Sequence, residues 1–112
     1  MLLIANTIFE IVIGCVFLLF STLLTKNSEL SISLLRVIGC SALSLGTLSF
    51  LMLELTDKKA LKPGLIALSI FHTLVAAAQI YSSIDSMVNT LVIIIHSLFA
   101  VSFISFSWQQ IR

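Results

Sequence analysis

Four ionisable side chains lie inside long apolar runs of this 112-residue sequence: Glu10, Arg36, His72 and His96. A carboxyl group and an imidazole can exchange protons, and two imidazoles can ligate a metal ion. If the runs cross a bilayer, each ionised group costs about 2.5–3.5 kcal/mol at the centre unless it is paired, neutral or near water. These residues are therefore the first candidates for a functional site.

Glu10 has a functional and a structural interpretation. Burial in a medium of low dielectric favours the neutral form of a carboxyl group, which suits a site that exchanges a proton or binds a cation. The alternative is a protonated acid, or an acid paired with His72, that ties the first apolar run to the third. We favour this alternative because no second acid lies at a matching depth to form a relay.

His72 and His96 are the only histidines, and they lie in two successive apolar runs. Two such histidines on facing helices could ligate a haem. A zinc site would need further ligands, and Glu10 is the only acid near them. We expect instead a hydrogen bond between helices, with no metal and no cofactor.

Arg36 lies about 6–9 Å from one end of its run, at about 1.5 Å of helical rise per residue. From that depth its side chain can reach the membrane interface. Its functional interpretation is a clamp for an anionic head group or substrate. The amides Asn6, Gln79 and Asn89 complete the candidate ligand or proton site.

Four apolar runs must position these side chains, and each is long enough for a helix that crosses about 30 Å of hydrocarbon. Pro63 and Gly64 indicate the start of the third helix. Because the connections are short, we predict one all-α domain over residues 1–112, a polytopic transmembrane up-down-up-down four-helix bundle. The predicted helices span about 2–24, 32–55, 64–82 and 88–108.

Each predicted helix carries one stripe of small and polar residues at helical spacing. We expect the stripes to face one another in a shared interior while the apolar remainder meets lipid. Gly39 and Gly46, one heptad apart, indicate close helix packing within or between protomers. The stripes are Asn6, Glu10, Gly14, Phe17 and Ser21; Arg36, Gly39, Ala42, Gly46 and Ser49; Ser69, His72, Thr73, Ala76, Gln79 and Ser83; and Asn89, His96, Ser97 and Ala100.

Composition supports a membrane protein and excludes several functions. The chain is 59% hydrophobic and 10% charged, with a mean hydropathy of +1.18, whereas soluble domains carry about 25% charged residues. A net charge of +1 argues against nucleic acid as a partner. Cys15 and Cys40 lack zinc or disulfide spacing. Since no nucleophile–base pair is evident, we do not expect an enzyme.

The basic residues predict the orientation of the chain in the membrane. Lys58, Lys59, Lys62 and Arg112 fall on one predicted side, and Lys26 alone falls on the other. We therefore expect both termini to be cytoplasmic, in the inner membrane of a bacterium.

Two resemblances extend this interpretation. The segment Ile8-Phe9-Glu10-Ile11-Val12-Ile13-Gly14 resembles helix 1 of the small multidrug resistance transporters, four-helix chains that work as dimers. That resemblance implies a proton-coupled small-molecule transporter, with Glu10 as the exchanging carboxylate and His72 as its partner. Here, however, the acid is one residue further from the glycine, and helix 3 lacks the family's tryptophan and glycine-rich segment.

The second resemblance is to small bacterial DoxX-like membrane proteins, and it implies no particular activity. It is carried by Leu35-Arg36-Val37-Ile38-Gly39, Phe71-His72 and Ile95-His96. We therefore expect a small integral membrane protein whose polar interior binds a small molecule, lipid or partner helix, as a homo-oligomer or as an accessory subunit. A transporter using Glu10 and a bis-histidine haem protein are the alternatives.

Overall fold

A computed structural model describes residues 1–25, 28–82 and 86–111 of the chain, and it is helical throughout these segments apart from their ends and short connections. This confirms the predicted all-α class. Four helical spans are long and apolar enough to cross a membrane, which supports the prediction of an integral membrane protein. The spans are Leu2–Leu19, Glu29–Glu54, Lys58–Tyr81 and Met87–Gln109.

The helices fall into two compact units, Met1–Glu54 and Leu55–Arg112. The helices of the first unit are α1 (Leu2–Leu19), α2 (Ser21–Leu24) and α3 (Glu29–Leu51), which a 3₁₀ turn extends to Glu54. Those of the second unit are α4 (Lys58–Tyr81) and α5 (Met87–Ile111).

The first predicted helix is interrupted after Leu19. Phe20 has φ −115° and ψ 16°, outside the helical range, although its N–H still donates to the Val16 carbonyl at 2.9 Å. The short helix α2 then begins at Ser21. The Ser21 hydroxyl lies 3.2 Å from the Arg36 Nε.

The prediction that Pro63 and Gly64 begin the third helix is wrong, because α4 begins at Lys58. Asp57 caps it, since its Oδ1 accepts from the Lys59 N–H at 2.9 Å and satisfies a donor of the first turn. Pro63 lies in the second turn, where it removes a single backbone donor. A Ser28 cap likewise starts α3 three residues earlier than predicted, its hydroxyl accepting from the Ser31 N–H at 3.1 Å.

Glycines bring α1 and α3 into backbone contact in the first unit. A Cβ atom added to Gly39 would lie 2.9 Å from both the Gly14 carbonyl oxygen and the Leu18 backbone nitrogen. One added to Gly14 would lie 2.7 Å from the Leu43 Cγ. The close packing expected at Gly39 and Gly46 is therefore found within one chain, between antiparallel helices.

The predicted stripes of α1 and α3 form this contact. We call it the N-terminal seam, and its buried residues are Asn6, Thr7, Glu10, Gly14 and Ser21 of α1 and α2, and Gly39, Ala42, Gly46 and Ser49 of α3. Arg36, which was assigned to the same stripe, is exposed instead.

The second unit pairs α4 with α5 through larger side chains. We call this contact the C-terminal seam, and its buried residues are Leu65, Leu68, Ser69, His72 and Ala76 of α4, and His96, Ala100, Phe103 and Ser107 of α5. Thr73, predicted in this stripe, is exposed, and Gln79, Asn89 and Ser97 are half-buried. Ser83 lies outside the described residues.

We predict that Gly39→Val separates α1 from α3 and destabilises the protein by about 1–3 kcal/mol, the usual cost of inserting methyl groups into a packed contact. Thermal unfolding in detergent, followed by circular dichroism, measures the change. Ala5→Val at an exposed position of α1 is the control, because it introduces the same side chain away from the seam. Equal unfolding temperatures for Gly39→Val and the unmodified protein would contradict the proposed backbone contact.

Candidate functional site

His72 and His96 meet in the C-terminal seam. Their Nδ1 atoms lie 2.8 Å apart, a hydrogen bond between α4 and α5. His72 is fully buried and His96 is 8% exposed. In such a bond one Nδ1 donates and the other accepts, so two neutral rings must hold different tautomers. The structure thus brings together the two histidines that the sequence singled out.

Aromatic rings surround the histidine pair. His72 stacks on Phe99 with ring centroids 4.9 Å apart and on Phe103 at 5.7 Å. Phe71 meets both imidazoles edge-on, at centroid distances of 5.2 Å from His72 and 6.0 Å from His96. These contacts place the hydrogen bond in an apolar environment, where it is stronger than in water.

Sequence reasoning missed the roles of Phe99 and Phe103, although a signal was present. They follow His96 by three and seven residues, the spacing that places side chains on one face of a helix. The predicted stripe of α5 contained small and polar residues only, whereas the aromatic residues beside His96 were assigned to lipid.

The distance between the histidines bears on the haem alternative. Two axial ligands on opposite sides of a haem iron, with metal–nitrogen bonds of about 2.0–2.1 Å, hold their ligating nitrogens about 4 Å apart. The Nδ1 atoms, at 2.8 Å, are closer than this. The arrangement therefore fits the expected hydrogen bond between helices and does not fit a metal held between these two atoms.

Glu10 lies in the N-terminal seam, at 2% exposure. It packs against α3 at Gly46, because a Cβ atom added to Gly46 would lie 3.2 Å from the Glu10 Cβ. Thr7, on the same helix face, is 7% exposed, and its hydroxyl has no hydrogen-bond partner among the described residues. A carboxyl group and an available hydroxyl therefore lie one turn apart in a buried contact.

Asn6 completes this group one turn before Glu10. Its Nδ2 donates to the Ser49 Oγ at 2.7 Å, and both side chains are fully buried. Ser49 was assigned to the stripe but not to the candidate site. Glu10 and His72 belong to different units, so the pairing expected between them stays a prediction.

The remaining candidates lie apart from these groups within their units. Arg36 donates through Nε to the Ser21 Oγ at 3.2 Å, near the opposite end of the N-terminal seam from Asn6. Asn89 donates through Nδ2 to the Gln79 backbone carbonyl at 3.4 Å, and Gln79 lies one heptad, about 10 Å, along α4 from His72. Within each unit the polar residues thus form local pairs along the seam.

We predict that the histidines are energetically coupled. His72→Phe and His96→Phe each leave one buried imidazole without its partner, so each should destabilise the protein by about 1–3 kcal/mol. The double variant should lose less stability than the sum of the two single losses. The difference, the coupling free energy, should be about 0.6–1.7 kcal/mol, the range for polar pairs between membrane helices. Unfolding of the four proteins in detergent completes the cycle, and additive effects would contradict a direct bond.

No protein-family model, curated protein or solved structure matches this chain. The resemblances to small multidrug resistance transporters and to DoxX-like proteins therefore stay predictions.

Proposed function

We propose that this chain is a membrane-embedded packing subunit of the bacterial inner membrane, with both termini cytoplasmic and four spans that cross alternately. In this role it binds partner helices, either from further copies of itself or from other membrane proteins. The four apolar helices support the membrane location, and the lysines at residues 58, 59 and 62 support the orientation.

The observation that carries the proposal is that, in each pair of helices, buried polar side chains form hydrogen bonds from one helix to the other. Asn6 bonds Ser49 in the N-terminal seam, and His72 bonds His96 in the C-terminal seam. Such bonds hold two helices of one chain together. They support a role in which each hairpin is a stable unit that offers its outer faces to other helices.

The outer face of α3 suits contact with another helix. Three exposed hydroxyls there donate to the carbonyl four residues earlier: Ser41 to Val37 at 3.0 Å, Ser44 to Cys40 at 2.9 Å and Thr47 to Leu43 at 2.8 Å. Small side chains of this kind let membrane helices approach closely. Because lipid also covers such a face, the test must distinguish a partner helix from lipid.

We predict that native mass spectrometry of the gently solubilised protein shows complexes heavier than one 12.3 kDa chain. If the partner is a second copy that contacts α3, oxidation should link the exposed Cys40 of two chains. Cys40→Ser should abolish the link. Cys15→Ser, at a half-buried position, is the matched control and should keep it. A single chain that carries only lipid in every mild detergent would contradict the proposed role.

A second candidate is proton-coupled transport of a small molecule, favoured by the burial of Glu10 beside Thr7. A carboxyl group at 2% exposure can hold a proton inside the membrane. The neighbouring hydroxyl could then relay the proton, because it has no other partner among the described residues.

For this candidate we predict that Glu10→Gln reduces proton flux into proteoliposomes to the level of protein-free vesicles, because an amide cannot release a proton. An entrapped pH-sensitive dye reports the flux after a pH jump. Thr7→Val should slow it with little change in stability. Glu54→Gln, which makes the same substitution at an exposed position, is the control. If Glu10→Gln and Glu54→Gln carry equal flux, Glu10 has no part in it.

A further inference from the structure

We propose that Arg36 binds a phosphate group at the membrane interface, with Ser21 as a positioning residue. The chemistry is that of an anionic phospholipid head group, and a free phosphate ion shares it. This inference rests on the membrane location proposed above, but not on the identity of any partner helix.

The guanidinium of Arg36 is held in a fixed direction. Its Nε donates to the Ser21 Oγ at 3.2 Å, and Ser21 is 1% exposed. The side chain is therefore anchored at Nε to a buried group, whereas Arg36 as a whole is exposed. A guanidinium has five N–H donors in a planar fork, so anchoring one donor leaves the two terminal nitrogens to bind an oxyanion.

The positive charge of Arg36 lies among apolar residues. Large exposed apolar side chains lie within two residues of it on α3, namely Leu34, Val37 and Ile38, and Leu23 and Leu24 follow its partner Ser21 on α2. Along α3 the nearest acid is Glu29, seven residues before Arg36 and so about 10 Å away along the helix. A cation in such surroundings is stabilised by an anion from outside the helix pair.

The position of Arg36 along α3 lets its side chain reach the membrane interface. Arg36 lies about 10 Å from the first residue of α3, and a long arginine side chain can extend from there towards the hydrocarbon boundary. Lipid phosphates occupy that boundary. Arginine matches a phosphate with two parallel hydrogen bonds, which lysine, with a single compact ammonium, does not reproduce.

The test is native mass spectrometry of the full chain in detergent, titrated separately with dioleoyl phosphatidylglycerol and dioleoyl phosphatidylcholine. We expect the unmodified protein to prefer phosphatidylglycerol by about fivefold, the ratio that corresponds to one basic residue at a membrane surface. Arg36→Gln should abolish the preference, and Arg36→Lys should reduce it, because lysine keeps the charge but not the fork.

Ser21→Ala tests the positioning role. It should lower the preference about twofold while the unfolding temperature changes little, a result that a purely structural role for Ser21 would not give. Lys59→Gln is the matched control for the loss of one positive charge, because Lys59 is exposed at the start of α4 in the other unit. It should keep the full preference.

Competition with 10 mM inorganic phosphate distinguishes the two sources of the ligand, with sodium chloride at equal ionic strength as control. Displacement of bound phosphatidylglycerol identifies a site for free phosphate, and retention identifies a site for the lipid. An unchanged preference in Arg36→Gln, or an equal loss in Lys59→Gln, overturns the proposal. The results for Arg36→Gln and Lys59→Gln are independent of the oligomeric state. Phosphate binding can therefore fail while the proposed role as a packing subunit stands.

Discussion

A polar side chain inside a bilayer is stabilised by a partner in protein, because hydrocarbon offers neither donors nor acceptors. This constraint explains where the polar residues of the chain lie. Asn6 and Ser49 are fully buried and hydrogen-bonded to each other, and in the other unit the fully buried His72 is hydrogen-bonded to His96, which is 8% exposed. The same constraint limits how far the paired helices can move, since sliding either one would expose both members of a pair.

The two hairpins meet this requirement with different kinds of packing. Gly14, Gly39 and Gly46 let α1 and α3 touch through their backbones, so that short side chains such as Asn6 and Ser49 reach each other. Between α4 and α5 the bonded side chains are rings that are themselves bulky, and Phe99 and Phe103 fill the space beside them. Small residues therefore define one contact, and aromatic residues define the other.

Much of this could be read from the sequence, because lipid imposes a simple pattern. Helical spacing of small and polar residues was enough to assign Asn6, Glu10, Gly39 and Ser49 to a buried face. What the pattern could not supply was the choice of partner. Spacing shows which face of a helix is buried, but not which atom it meets, so the Asn6–Ser49 bond was not foreseen.

The helix ends were less predictable, because local caps compete with propensity. Pro63 indicates a helix start in general, yet the Asp57 cap begins α4 five residues earlier than the proline. The interruption at Phe20 has no marker such as proline or glycine in the sequence. It coincides with the Arg36–Ser21 contact, a tertiary interaction that local sequence rules do not include.

The hydroxyls on the outer face of α3 have a consequence for biosynthesis. Ser41, Ser44 and Thr47 each satisfy their O–H within their own helix. A hydropathy scale that scores each residue separately counts these side chains as polar. It therefore underestimates the affinity of α3 for lipid. During insertion by the translocon, where each segment partitions as a formed helix, α3 should therefore enter the bilayer more readily than its serine and threonine content implies.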